Sequence, residues 1–132
     1  MDSGTPTLDA AAVLASARRA RPAANAAEAQ VLADAVQWCR IHQVEDLRDA
    51  STLCDSRGMD TGIPIAGPGA PLVSEFAVAE FAAALGPSAM AGRNLVGHAL
   101  ELAHRLPKTW ARVLAGDLAS WRARRIAEDT QQ

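Results

Sequence analysis

Seven basic residues fall between Arg93 and Arg125, namely Arg93, Arg105, Lys108, Arg112, Arg122, Arg124 and Arg125, against two acids, Glu101 and Asp117. That segment carries +5 in a chain whose net charge is −2, so the remainder carries −7. A cationic stretch beside an anionic one suits contact with nucleic-acid phosphates. It suits equally a contact between domains or a bundle that neutralises itself. If phosphates are the target, Arg93, Arg122, Arg124 and Arg125 are the expected contacts, with Lys108 and Arg112 secondary. Asn94 is the one base-reading candidate, because an amide side chain can pair bidentately with adenine.

Other chemistries find less support. Cys39 and His42 are three residues apart and Cys54 follows, but a fourth zinc ligand and a paired Cys-x-x-Cys are missing, so Cys39 reads as a core residue. Asp46, Asp49, Asp55 and Asp60 read as a solvated acidic surface. The stretch GIPIAGPG lacks the lysine and following helix of a phosphate-binding loop. Ser88 and Ser120 have no evident base. No catalytic group, metal or cofactor is expected.

The elements that must position the basic residues read as helices. Thr7 is placed as the cap of a helix over 8–20, with Arg18, Arg19 and Arg21 at its C-terminal end, where the helix dipole favours cations. Pro22 stops it. Asn25 with Glu28 then opens a second helix, about 26–42, whose core face is Val31, Ala35, Trp38, Cys39 and His42, with Leu32 and Val36 beside them. Leu47 and Leu53 suggest a short helical piece within 43–54. Residues 55–72 hold Gly58, Gly62, Gly67, Gly69, Pro64, Pro68 and Pro71, a density that predicts a long loop.

Ser74 caps a helix over 75–85, with Val78, Phe81, Ala82 and Leu85 inward. Ser88 caps the next, to about 105, with Leu95, Ala99, Leu102 and Leu106 as its apolar stripe and Arg93, Asn94, His98, Glu101 and Arg105 opposite. Pro107 starts a short helix that ends at Gly116, and Asp117 caps a last helix to about 129. The fold class is all-α: five to six helices in one small bundle, divided into an N-terminal helix and linker over 1–24 and a helical domain over 25–132.

The corner EFAAALGPSAMAGRNLV has helix-turn-helix features: a small residue, Ala82, a glycine four residues later, Gly86, and Leu85 with Leu95 to lock the two helices. Gly92 sits where an apolar lock is usual. In the last helix, Arg122 falls between Leu118 and Ile126 in the apolar arc, with Arg125 at its edge. An unpaired buried arginine is costly: the arc could face phosphate, pair its arginines with acids or meet a further part of the protein, and arginines snorkelling at the helix rim are the simplest account.

The chain has 132 residues, the size of one domain, with 49% apolar residues and only 4% aromatics. The expected anchors are therefore Trp38, Phe76, Phe81, Trp110, Trp121 and the leucines. Absent tyrosine and sparse β-branched residues argue against a sheet. Two unpatterned cysteines, no signal-peptide pattern and no membrane-length apolar run make a cytoplasmic protein with reduced thiols the expectation.

Residues 73–130 carry a resemblance. The segments EFAVAEFAAALG, LVGHALEL, RLPKTWARVLAGDL and WRARRIAEDT resemble the actinobacterial domain-of-unknown-function 222 family, also called the 13E12-repeat family. The run from Leu106 to Ile126 is its most specific part, and EAQVLADAVQWCRIH fits the upstream part more loosely. The resemblance implies a helical domain that usually precedes an HNH nuclease domain, with DNA binding or target positioning as its supposed role. The family arrangement continues past the point where this chain stops, so autonomous nuclease activity is not expected. His42, His98 and His104 lie on predicted helices, without the strand pair an HNH site needs. The expected function is a non-catalytic DNA-contacting module. The alternatives are an interaction module that docks onto a second copy or a separate nuclease domain through its last helix, and a remnant without independent function.

Overall fold

One helix, α1, runs unbroken from Ala10 to Ile41, with Pro22 inside it. The computed structural model, which describes residues 9–44, 62–86 and 88–131, thus removes the stop expected at Pro22. The helix also passes through the 24/25 boundary. Proline deletes one backbone hydrogen bond and crowds the carbonyl four residues back, at a cost of about 3 kcal/mol. Here Pro22 and Arg18 are exposed, so water can solvate the freed carbonyl, and alanines on both sides favour continuation. The N-cap is Asp9, whose Oδ1 accepts from the Ala12 amide at 2.8 Å. Asn25 and Glu28 lie within the helix rather than at its start, and Thr7 lies outside the described residues.

Three short strands follow: β1 (Gln43–Val44), β2 (Gly62–Pro64) and β3 (Leu72–Ser74). They form an antiparallel sheet in the order β1-β3-β2, with Gln43 opposite Val73 and Pro64 opposite Leu72. Within the loop expected over 55–72, residues 62–64 and Leu72 are strand instead, and residues 55–61 lie outside the described residues. Among the described residues, Gly67, Pro68 and Gly69 make the turn between β2 and β3. There the Ala70 amide donates to the Gly67 carbonyl at 3.2 Å, and Gly69, after Pro68, takes the left-handed φ of 93°, the pattern of a type II turn. Pro64 is tolerated because β2 is an edge strand. β3 is held because Val73 is fully buried and the Ser74 amide donates to the His42 carbonyl. The helical piece suggested by Leu47 and Leu53, and Cys54, Asp46, Asp49, Asp55 and Asp60, lie outside the described residues.

Four more helices complete the bundle: α2 (Glu75–Leu85), α3 (Ala89–Arg105), α4 (Pro107–Ala115) and α5 (Ser120–Thr130). Their ends follow local chemistry. Ser74 and Ser88 accept from the Ala77 and Ala91 amides, Pro107 occupies the first turn of α4, and Gly116 ends it in the left-handed region at φ 85°. Asp117 does not cap α5. The chain turns through Asp117 and Leu118, and α5 begins after Ala119 with no side-chain cap.

The centre of the bundle is α3, which packs on all four other helices. Its Val96, Ala99, Leu100 and Leu102 meet Leu32, Ala35, Val36 and Cys39 of α1, Val73, Val78 of α2, Val113 of α4, and Ala123 and Ala127 of α5. The expected aromatic anchors stand differently. Trp38, Phe81 and Trp110 are half-buried, while Phe76 and Trp121 are 56% and 57% exposed. Leu85, expected inward, is exposed as well. The core is filled by aliphatic and small residues, and Trp38 sits at its edge with its Nε1 donating to the Ala77 carbonyl at 2.7 Å.

Candidate nucleic-acid interface

The α2–α3 corner is closed by small residues. A Cβ on Gly92 would lie 2.4 Å from the Ala82 Cβ, so glycine is what lets the two helices approach this closely. Gly92 therefore belongs to the lock. Because α3 packs on four other helices, its exposed residues are confined to His104 in its last turn and to its first turns. Ala89, Met90, Ala91, Arg93 and Asn94 are exposed there. Any reading of bases by α3 must come from this N-terminal end, where Arg93 and Asn94 border a cleft with Ile65, Ala66, Gly97 and Gln131.

One turn beyond Asn94 stands His98. Its Nδ1 accepts a hydrogen bond from Arg124 Nε of α5 at 3.0 Å. Burial first, and the Arg124 charge second, hold the imidazole below its ordinary pKa, against a weaker pull from Glu128. His98 is thus set as a neutral acceptor that orients the guanidinium. Arg125, Trp121 and Glu128 border the same cleft. Glu128 makes no ion pair with Arg124 or Arg125 among the described residues. Arg122 is exposed and lies 5.2 Å from the Trp121 ring centroid. The helix buries Ser120, Ala123 and Ala127 instead, so the arc thought to trap Arg122 is not the buried face.

The structure brings His98, Arg124 and Arg125 together at one cleft between α3 and α5, while Arg93 and Asn94 border a separate cleft with Gln131, and Arg122 is exposed on α5. Lys108 and Arg112 are exposed on α4, and no described hydrogen bond joins them to that group. Arg105 is used differently. It pairs with Glu101, which is completely buried, whereas the spacing places Glu101 on the polar face. Glu101 accepts from Arg105 Nη1, from the Gly67 amide at 2.9 Å and from Thr130 Oγ1 at 2.6 Å. Arg105 also donates to the Thr130 carbonyl. Burial would raise the Glu101 carboxyl. The Thr130 hydroxyl, the Gly67 amide and Arg105 outweigh it and hold the carboxyl below its ordinary value. This network ties the β2–β3 turn and the end of α5 to α3, and it is internal.

A second cleft, about 370 Å³, lies between α1, α2, α3 and α5 and is lined by Val31, Leu32, Leu85, Leu95 and Trp121, with Arg124 and Glu28 also in its wall. Ser120 adjoins it, and its buried Oγ has no hydrogen-bond partner among the described residues. Cys39 is buried, which pushes its thiol up to about 12. That is the behaviour of a packed thiol, not a nucleophile. His42 is half-buried with its ring against Trp38. Among the described residues no group of three or more His, Cys, Asp or Glu is placed to hold a metal ion, and no helix is long and apolar enough to cross a membrane. No family model matches the chain, and neither the curated proteins nor the solved structures yield a match.

Proposed function

We propose that the chain is a non-catalytic helical module that contacts DNA along the α3–α5 seam. The supporting observation is the way Arg124 is held. The bundle's structural arginine, Arg105, is neutralised by a buried carboxylate. Arg124 is instead positioned by a neutral imidazole at 3.0 Å, so it is oriented without losing its charge. Arg93, Arg122 and Arg125 are exposed, and none forms an ion pair among the described residues. An ordered, unneutralised guanidinium among further cations suits a phosphate oxygen. Asn94, exposed near the start of α3, is the base-edge contact on this reading. On this reading the module positions a target for a nuclease supplied elsewhere, as the 13E12-repeat resemblance implies.

The test is fluorescence anisotropy of a labelled mixed-sequence duplex at low and moderate salt. Binding should weaken as salt rises, with a log–log slope of about 0.9 per neutralised phosphate. It should be lost in Arg122→Ala/Arg124→Ala/Arg125→Ala, with helicity retained. Absence of binding by the helical native chain sinks the reading. A second reading, docking of a protein partner, is favoured by exposed Trp121 and Leu85 beside the 370 Å³ cleft. Binding through that surface would tolerate salt.

A further inference from the structure

Residues 10–28 of α1 form an arm with no buried residue, which borders the end of α4 only from Pro22 onward, where Pro22, Asn25 and Ala26 share a cleft with Val113 and Leu114. Every residue in that span is exposed except Ala12, Ala15 and Asn25, which are half-buried, and the first fully buried residue of the helix is Ala29. At 1.5 Å per residue the arm is roughly 28 Å long. Between Asp9 and Glu28 it carries Arg18, Arg19 and Arg21 and no acid. The unbroken helix also removes the simple reason for those arginines. They sit in mid-helix rather than at a C-terminal end, so the helix dipole does not account for them.

We infer that this arm is a second phosphate-contacting surface, which lies in the major groove of duplex DNA. The inference rests on the DNA reading of the α3–α5 seam and adds Arg18, Arg19 and Arg21 to it. Three features of the arm favour this occupant. The charge is +3 with no internal counter-charge, which suits a polyanion. The three arginines span about 160° of the circumference at helical pitch, and the residues opposite them (Val13, Ser16, Ala20, Ala23, Ala24, Ala27) are small. A helix with full-sized side chains is about 10–12 Å across, close to the major-groove width of about 12 Å, so alanine gives the room that bulky side chains would take. An anionic membrane fits less well, because an interfacial helix needs large apolar residues opposite its cations, and the arm offers only Val13 there, Leu14 falling on the arginine face. A second copy would bury mostly alanine, which supplies little area.

An isolated arm of this length is marginal as a helix, and Pro22 removes one of its hydrogen bonds. Contact with DNA should therefore slow its local opening. The test uses the full chain and three variants in the anisotropy assay: Arg18→Gln/Arg19→Gln/Arg21→Gln, the same positions changed to Lys, and Arg122→Ala/Arg125→Ala. The Gln variant should lower the salt slope by roughly 2 to 3 and weaken binding about tenfold or more at low salt, whereas the Lys variant should keep the slope. Amide exchange over residues 10–21 should slow when duplex is added to the native chain. If the Gln variant binds with an unchanged slope while the Arg122→Ala/Arg125→Ala variant loses affinity, the arm proposal fails and the seam reading stands. If the native chain does not bind duplex, both fail. A salt-resistant dimer, or binding to phosphatidylserine vesicles in place of duplex, would assign the arm to another occupant and overturn the proposal.

Discussion

Gly92 of α3 lies against Ala82 of α2 with no space for a side chain: a Cβ there would come 2.4 Å from the Ala82 Cβ and 2.6 Å from its Cα. Both obstacles are the neighbouring helix itself, so relief requires moving a backbone. Gly92→Ala should destabilise the fold by about 1–3 kcal/mol despite its better helix propensity. Gly86, between the same two helices, is the control. A Cβ there meets nothing within 4 Å, and its φ of 167° is ordinary extended backbone. Gly86→Ala should be neutral or stabilising by up to about 1 kcal/mol. Urea denaturation of the two variants separates them, and equal stabilities would refute the close-approach account.

Large residues do not mark this core. Trp121 is 57% exposed while Leu100 is completely buried. Leu100→Ala should therefore cost about 2–5 kcal/mol. Trp121→Ala should cost about 1 kcal/mol or less, most of it the contact with Arg122. Thermal melts that rank the two variants the other way would overturn this assignment of the core.

What the sequence reveals here is what is set locally. The caps at Ser74 and Ser88, the start at Pro107, the left-handed Gly116 and the stripe of Ala99 and Leu102 each depend on residues within a turn or two. The misjudged features depend on distant ones. Which face of α5 is buried depends on where α5 lands on α3, and it lands on Ser120, Ala123 and Ala127, not Trp121. Pro22 does not end a helix that alanine propensity on both sides and the packing of residues 29–39 carry past it. The strands are two or three residues long and have no period to detect. At the candidate site, Arg93, Asn94 and Arg122–Arg125 are visible as types and charges. The Arg124–His98 bond joins residues 26 apart on two helices, and nothing in local spacing announces it. Likewise, spacing puts Glu101 on the polar face of α3 and cannot show that the Gly67 turn and Thr130 close over it.

Acid should weaken the fold in two separate windows. His98 is held below its ordinary 6.5 by burial and Arg124, and His104 shifts the same way through desolvation and Arg40. The unfolded chain therefore takes up these protons first, so stability is fully present above about pH 6.5 and is lost as pH falls through the folded values. Glu101 is likewise held below its ordinary 4.5. Its contribution is present above that pH and is lost further into acid. Urea midpoints between pH 8 and 3 should show both steps, and His98→Gln should flatten the first. Glu101→Gln keeps an acceptor but strips Arg105 of its counter-charge, and should cost about 1–3 kcal/mol at pH 7. A midpoint that stays constant from pH 7 to 5.5 would contradict the histidine assignment.

The continuous α1 predicts an unusual response to removing a proline. Pro22 sits in the exposed interior of the helix, where the amide it lacks would have met the Arg18 carbonyl. Pro22→Ala restores that bond and relieves the clash with the preceding turn, local effects that together amount to about 3 kcal/mol. The gain should appear in the arm and not in the core, because no residue from 10 to 28 is buried. Amide exchange over residues 10–24 should slow by one to two orders of magnitude, at roughly 1.4 kcal/mol per tenfold. Exchange at Val96, Ala99 and Leu100, which reports global unfolding, should change little. Were Pro22 a true helix stop, the substitution would join two separate helices and raise the circular-dichroism helix signal substantially. An unbroken α1 leaves that signal nearly unchanged, so exchange and circular dichroism together decide between the two arrangements.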